Sequence, residues 1–194
     1  MRADVRTWVI DTAGKSTEEV ARELLADELH LPADSLQLCK DPRGRPALCT
    51  RDGQPIADVD ISLAHTGALL AIVLAHGARV GVDIEVIPPD ADDEDLARTF
   101  LAPTEYAQWH AIPAAERHDV LYQFWTAKEA FQKALGLGAT VDMRDIVLGM
   151  QDDRRLRLIS LYAKSDLIAG WRLTQEKRTL GDRVVWLAVV EAAH

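Results

Sequence analysis

The chain has 194 residues, with 31 acidic side chains against 22 basic ones and a formal net charge of −9. A chain of that length buries about 70% of its unfolded surface and folds without a metal or disulfide staple, and its 48% apolar content excludes wholesale disorder. The acidic balance argues against nucleic acid as a partner, because phosphate backbones are met with concentrated positive charge.

Val5 to Ile10 reads as a strand, and Ser16 to Leu29 as a helix opened by a Ser16/Glu19 capping box. Gly14-Lys15-Ser16 imitates the end of a P-loop, but Val9 stands where that loop needs its first glycine. Leu36 to Cys39 is a second short strand, followed by the turn-rich Asp41 to Pro46. Cys39 and Cys49 make neither a zinc pattern nor a disulfide framework, so a reducing cytoplasm is the expected compartment. The start of the chain lacks the apolar core of a signal peptide. The longest apolar run, Ala68 to Ala75, is far shorter than the roughly 20 residues of a membrane helix.

From Val59 to Val86 the pattern is β in three segments, and the turn at His76-Gly77-Ala78 predicts that the last two are antiparallel neighbours. Pro88, Pro89 and the acidic run Asp90 to Asp95 read as a connector between two lobes, 1–87 and 88–194. Beyond it a helix begins near Thr104, and a longer one runs from about Arg117 to Leu135, ended by Gly136 and Gly138. Four strand patterns follow: Asp145 to Met150, Arg154 to Tyr162, Trp171 to Glu176 and Asp182 to Glu191. Each half mixes helix with antiparallel strands. The expected class is therefore α+β, with two lobes each built on a small sheet.

Two segments concentrate chemistry. In the strand Gly81-Val82-Asp83-Ile84-Glu85, alternation puts Asp83 and Glu85 on one face and the aliphatic residues on the other. In the long helix, Phe124, Ala127, Phe131, Ala134 and Leu135 form an apolar stripe. Glu129 and Lys133 lie opposite with Thr126 beside them, and Lys128 flanks the stripe. Taken singly, these are a half-buried strand with a solvated face and a helix with a surface ion pair worth about 0.3–0.5 kcal/mol. Together, Asp83, Glu85 and Glu129 could converge on an oxygen-preferring cation, which points to Mg²⁺. Lys128 and Lys133 could then neutralise phosphate charge, an arrangement suited to phosphoryl-type transfer.

The run Val80-Gly81-Val82-Asp83, followed about 40 residues later by Trp125-Thr126-Ala127-Lys128-Glu129-Ala130-Phe131-Gln132-Lys133, resembles the signature of phosphopantetheinyl transferases. Gly44-Arg45-Pro46 resembles that family's Gly-Lys-Pro segment, and Ser62-Leu63-Ala64-His65-Thr66-Gly67 its Ser-x-x-His-Ser-Gly segment. The motif at Gly81 begins well inside the chain, so the likeness is to the two-lobed surfactin type rather than to the small trimeric branch.

The resemblance implies a monomer of two pseudo-symmetric lobes with the active site in the cleft between them. It implies transfer of 4′-phosphopantetheine from coenzyme A to a serine of an acyl or peptidyl carrier protein, as a holo-carrier synthase, releasing adenosine 3′,5′-bisphosphate. Asp83, Glu85 and Glu129 would ligate Mg²⁺, and Glu129 would take the serine proton. Lys128 and Lys133 would hold phosphate oxygens, Lys133 also offsetting charge on the leaving group. Arg45, His65 and Thr66 would contact the adenosine 3′-phosphate end of coenzyme A. Arg45 stands for the usual lysine and Thr66 for the usual serine. The basic stretch from Arg154 to Arg183 would offer an acidic carrier protein a dock. The alternatives are a carboxylate-based Mg²⁺ phosphohydrolase and a non-catalytic acidic interaction module.

Overall fold

β1 (Asp4–Asp11) opens the fold in a computed structural model that describes residues 4–42, 44–89, 93–136, 141–162 and 169–193. It leads to α1 (Thr17–Glu28), where the Ser16 hydroxyl accepts from the Glu19 amide at 3.1 Å. The glycine-lysine-serine run is thus a loop and a helix cap. β2 (Leu36–Lys40) and β3 (Pro46–Thr50) form a hairpin, then β4 (Val59–Thr66) and β5 (Leu69–His76) complete the first half. β6 (Ala78–Val86) starts the second half. After it come α2 (Asp93–Phe100), α3 (Pro103–His110), α4 (Ala114–Leu135), the hairpin β7 (Ile146–Met150) and β8 (Leu156–Leu161), and finally β9 (Trp171–Leu180) and β10 (Arg183–Ala193).

The class is α+β, and the two halves repeat one plan. The first sheet has strand order β1-β5-β4 and the second β6-β10-β9, both antiparallel. Each sheet thus runs first strand, last strand, penultimate strand, and each half adds a two-stranded hairpin. No identity in the sequence betrays this repeat; it lives in the topology.

Several expectations are corrected. β5 and β6 are not a hydrogen-bonded hairpin, because both edges of β5 are already occupied by β1 and β4. β6 instead pairs with β10, with Asp83 opposite Ala188 and Glu85 opposite Trp186. The strand that a division at residue 87 leaves with the N-terminal half therefore belongs to the sheet of β9 and β10. Asp93, Glu94 and Asp95, read as connector, form the first turn of α2, where negative charge suits the helix dipole; residues 90–92 lie outside the described residues. α4 begins one turn before the expected Arg117 and ends at Gly136, whose φ of 67° closes the helix in the left-handed region. Gly138 lies outside the described residues.

Cys39 and Cys49 form a disulfide, contrary to the expected pair of free thiols. The β2–β3 register places Gln37 opposite Cys49, so Cys39 and Cys49 share a face as diagonal neighbours. The expectation of a reducing compartment, which rested on unpaired cysteines, loses that support. None of the described helices is long and apolar enough to cross a membrane.

α4 holds the C-terminal half together. Leu121, Phe124, Ala127, Ala130, Phe131 and Ala134 are all fully buried. Thr126, expected beside the polar pair, and Lys128, expected at the flank of the stripe, are fully buried as well. The helix is consequently enclosed on nearly every side rather than amphipathic. A second apolar cluster, including Val73, Val82, Ile84 and Val185, joins the two sheets.

Candidate functional site

The site is built where β6 passes under α4. Val80, Val82 and Ile84 point into the cluster between the sheets, so Gly81, Asp83 and Glu85 face the other way, toward α4. Gly81 sets the distance. A Cβ there would lie 2.1 Å from the Ala130 carbonyl oxygen and 2.7 Å from the Ala134 amide nitrogen. Only glycine lets strand and helix backbones approach this closely. The contact falls beside Glu129 and Lys133, and so fixes both against Asp83.

Asp83 is buried and accepts from the Lys133 ammonium at 2.5 Å through Oδ1. Its Oδ2 is buried with no hydrogen-bond partner among the described residues. Burial raises the Asp83 pKa, and Lys133 opposes that rise. Glu85 is pushed up to about 7, first by burial and then by the charge of Asp83; hydrogen bonds from Thr66 and Trp125 pull the other way. Glu129 is raised by burial and by Asp83, with Lys133 again opposing. Three carboxylates that resist ionisation surround one ammonium, an imbalance that a further cation would relieve.

The chemistry of this donor set fits a hard, oxygen-seeking ion, and the orphaned Asp83 Oδ2 is a ready ligand. Among the described residues, no three His, Cys, Asp or Glu side chains stand close enough to grip an ion by themselves. Mg²⁺ does not ask for that, since it keeps several waters and takes one or two carboxylates plus substrate oxygens.

The lobes are stitched beside this site. β4 and β6 share no backbone ladder. Instead, side chains of β4 accept from amides of β6: Asp60 Oδ2 from Val80 at 2.8 Å, Ser62 Oγ from Val82 at 3.2 Å, and Thr66 Oγ1 from Val86 at 3.4 Å. The alternate spacing of the three acceptors follows from the strand period of two. A cleft of about 190 Å³ opens nearby, lined by Arg45, Pro46, Ser62, Leu63, Gln132 and Lys133, and also by Gly44 and Gly136. It lies between the two halves. A larger cavity of about 750 Å³ sits on α3, β7 and β8, lined by residues such as Gln108 and Arg157 and by none of these site side chains.

Not every expected site residue belongs here. Lys128 Nζ is fully buried and spends its donors on Glu105 Oε2 at 2.5 Å, the Met143 carbonyl at 2.9 Å and the Phe100 carbonyl at 3.1 Å. An ammonium has three hydrogens, so none remains for a phosphate. Glu105 in turn accepts from the amides of Ala102 at 2.6 Å and Leu148 at 2.7 Å. Lys128 is therefore corrected from ligand contact to a buried tie between α4, α3 and β7. Arg45 is likewise occupied, with its guanidinium bonded to Asp60, Val80 and Lys133. Thr66 bonds to β6 and Glu85, while His65 on the same strand is exposed.

Sequence reasoning missed Asp60, Glu105 and Arg79, whose Nε donates to the Ala134 carbonyl at 2.7 Å. None sits in a motif. Glu105 carried one signal, an acid in the first turn of a helix, but nothing local shows that it is buried. His118, which stands in no motif, bridges Asp93 Oδ1 at 2.7 Å and the Pro88 carbonyl at 2.6 Å. Burial lowers its pKa, but Asp93 and the Pro88 carbonyl outweigh that and leave it raised. The basic stretch expected to dock a carrier is largely paired off. Arg154 meets Glu116 at 3.1 Å, Lys177 meets Asp119 at 2.7 Å, and Arg183 meets Asp11 at 3.2 Å.

The strand and helix that carry these groups fall inside a segment that matches a known family. Residues 79–188 match the model of the 4′-phosphopantetheinyl transferase superfamily. A Synechocystis sp. protein carrying a provisional 4′-phosphopantetheinyl transferase name is 31% identical over 155 residues, covering 80% of this chain and 60% of its own. The Nostoc sp. 4′-phosphopantetheinyl transferase HetI is 26% identical over 81% of this chain and 65% of its own. A Bacillus subtilis 4′-phosphopantetheinyl transferase is 27% identical over 70% and 61%. The chain thus spans less than two thirds of the length of each of these relatives. Among solved structures, an apo-ACPS from Chronobacterium ammoiniagenes aligns with a TM-score of 0.45 at 21% identity, covering 60% of this chain and 98% of that one. With the match spanning more than half of the chain, from the start of β6 through α4 into β10, this protein belongs to the 4′-phosphopantetheinyl transferase superfamily.

Proposed function

We propose that this chain transfers 4′-phosphopantetheine from coenzyme A to a serine hydroxyl of an acyl or peptidyl carrier protein, as a monomer acting in the manner of a holo-carrier synthase. The observation that carries the reading is Asp83, ion-paired to Lys133 through one oxygen and unpartnered at the other, between Glu85 and Glu129.

In this reading the serine oxygen forms a bond to the phosphorus next to pantetheine, the bond from that phosphorus to the bridging oxygen breaks, and adenosine 3′,5′-bisphosphate leaves with that oxygen. Asp83, Glu85 and Glu129 would hold Mg²⁺, which would neutralise pyrophosphate charge when bound. Glu129, on the same face of α4 as Lys133, takes the serine proton. Lys133, 30% exposed at its side chain, presents positive charge to the leaving bisphosphate. The cleft between the lobes takes part of coenzyme A, with the Pro46 and Leu63 side chains offering apolar walls.

Membership of a transferase family leaves the phosphohydrolase and interaction-module alternatives without an observation in their favour. The test is to incubate the protein with coenzyme A, Mg²⁺ and a panel of apo carriers and to weigh each carrier. A carrier that gains one phosphopantetheine supports the reading. Failure across acyl and peptidyl carriers, with coenzyme A hydrolysed or untouched, overturns it.

A further inference from the structure

Arg45 lies in the turn between β2 and β3 and is 7% exposed. Its Nε donates to the Lys133 carbonyl at 2.9 Å. Its terminal nitrogens grip both oxygens of Asp60, the second at 2.8 Å, and one of them also reaches the Val80 carbonyl. Asp60 Oδ2 additionally accepts the Val80 amide at 2.8 Å. One side chain from the N-terminal half thus ties β4, β6 and the last turn of α4 together. The Gly136 amide also reaches the Lys133 carbonyl, at 3.2 Å, and a guanidinium at a helix C-terminus complements the helix dipole.

We propose that Arg45, held by Asp60, is a positioning residue that acts through Lys133. It pins the Lys133 main chain at a fixed height on β6, so that the ammonium of the same residue meets Asp83 at 2.5 Å. The lysine stem has four rotatable bonds, and fixing its base removes slack that a 1 Å displacement would turn into lost function. The site geometry in the C-terminal half then depends on a contact supplied by the N-terminal half. Lysine at position 45 would keep the charge but lose the planar fork that serves three acceptors at once. The claim rests on Lys133 and Asp83 being site groups, as proposed above.

The test compares wild type, Arg45→Lys, Asp60→Asn, Lys133→Ala and Arg45→Lys/Lys133→Ala. The measurements are kcat and KM for coenzyme A, its Kd by titration calorimetry, and amide hydrogen exchange along α4. Arg45→Lys and Asp60→Asn should each lower kcat by about tenfold or more while moving the coenzyme A Kd by less than about threefold. The double variant should be no slower than Lys133→Ala alone, because both changes act on one group. Exchange in Arg45→Lys should quicken in the last turn of α4 and stay unchanged near Leu121. A Kd raised about tenfold at constant kcat would make Arg45 a ligand contact and overturn the proposal. So would additive losses in the double variant, or unchanged exchange at the end of α4. If wild type loads no carrier, the transferase reading falls, and the exchange measurement still decides what Arg45 holds.

Discussion

Gly81→Ala is the sharpest perturbation available, because the added atom is small and the obstruction is backbone. The new Cβ would sit 2.1 Å from the Ala130 carbonyl oxygen, 2.7 Å from the Ala134 amide nitrogen and 2.8 Å from the Ala134 Cβ. Restoring an ordinary contact of 3.4 Å to the carbonyl requires α4 and β6 to part by about 1.3 Å (3.4 minus 2.1). Overpacking commonly costs about 1–3 kcal/mol, and a rigid backbone obstruction belongs at the upper end of that range. A separation of that size also moves Glu129 and Lys133 away from Asp83, and about 1 Å of misplacement can cost about a hundredfold in rate. Gly149→Ala is the control. Its Cβ would meet only the Ile159 side chain, at 2.9 Å, which can rotate aside. Urea unfolding followed by tryptophan fluorescence should show a loss of about 3 kcal/mol for Gly81→Ala and under about 1 kcal/mol for Gly149→Ala. Equal midpoints for Gly81→Ala and wild type would refute the close-approach argument.

Lys128→Ala leaves Glu105 buried without its cation and should destabilise by about 3–5 kcal/mol. Lys128→Met/Glu105→Gln should recover part of that loss and bind coenzyme A with an unchanged Kd; a Kd raised about tenfold would return Lys128 to the ligand site. Glu85 is raised from 4.5 to about 7, so the native state prefers it neutral. Its contribution is fully present below about pH 4.5 and is lost as pH rises through 7. At about 1.4 kcal/mol per pH unit the ceiling is about 3.5 kcal/mol, and solvent screening at this half-buried carboxyl brings it nearer 1–2 kcal/mol. Without divalent ions, Glu85→Gln should flatten the stability curve between pH 4.5 and 7; an unchanged slope would contradict the shift. His118 is raised above 6.5 by Asp93 and Pro88 against its own burial. The stability it gives is therefore present below about pH 6.5 and lost as pH climbs through its folded pKa. His118→Gln should remove that decline above pH 6.5, and a persisting decline would place its origin elsewhere.

Local chemistry wrote much of the secondary structure plainly. Ser16 and Glu19 announced α1, alternating aliphatic residues announced β4 and β6, and Gly136 announced the end of α4. The strand pairing was not legible. His76-Gly77-Ala78 is a good turn, yet both edges of β5 are already taken, one by the preceding β4 and the other by β1 from the start of the chain, and no local pattern reveals that competition. The acidic run at Asp93 to Asp95 misled in the opposite direction, since negative charge marks helix starts as well as linkers. Cys39 and Cys49 looked unpaired until a hairpin register made them diagonal neighbours.

The same division holds at the site. Residue type and strand or helix period were enough to single out Asp83, Glu85, Glu129 and Lys133, because carboxylates placed on one face of a strand are expensive unless positive charge attends them. Lys128 and Arg45 carry the same charge as Lys133 and stand in equally suggestive motifs, but burial and partners decide their roles. Lys128 lies on the enclosed side of α4, where Glu105 meets it, and Arg45 is turned into the seam by Asp60. The sequence by itself determined which groups can do chemistry, since that depends on side-chain type and spacing alone. Only the tertiary structure decided which of them are free to do it, since a charge that has already found its partners in a dry interior has no donors left to offer.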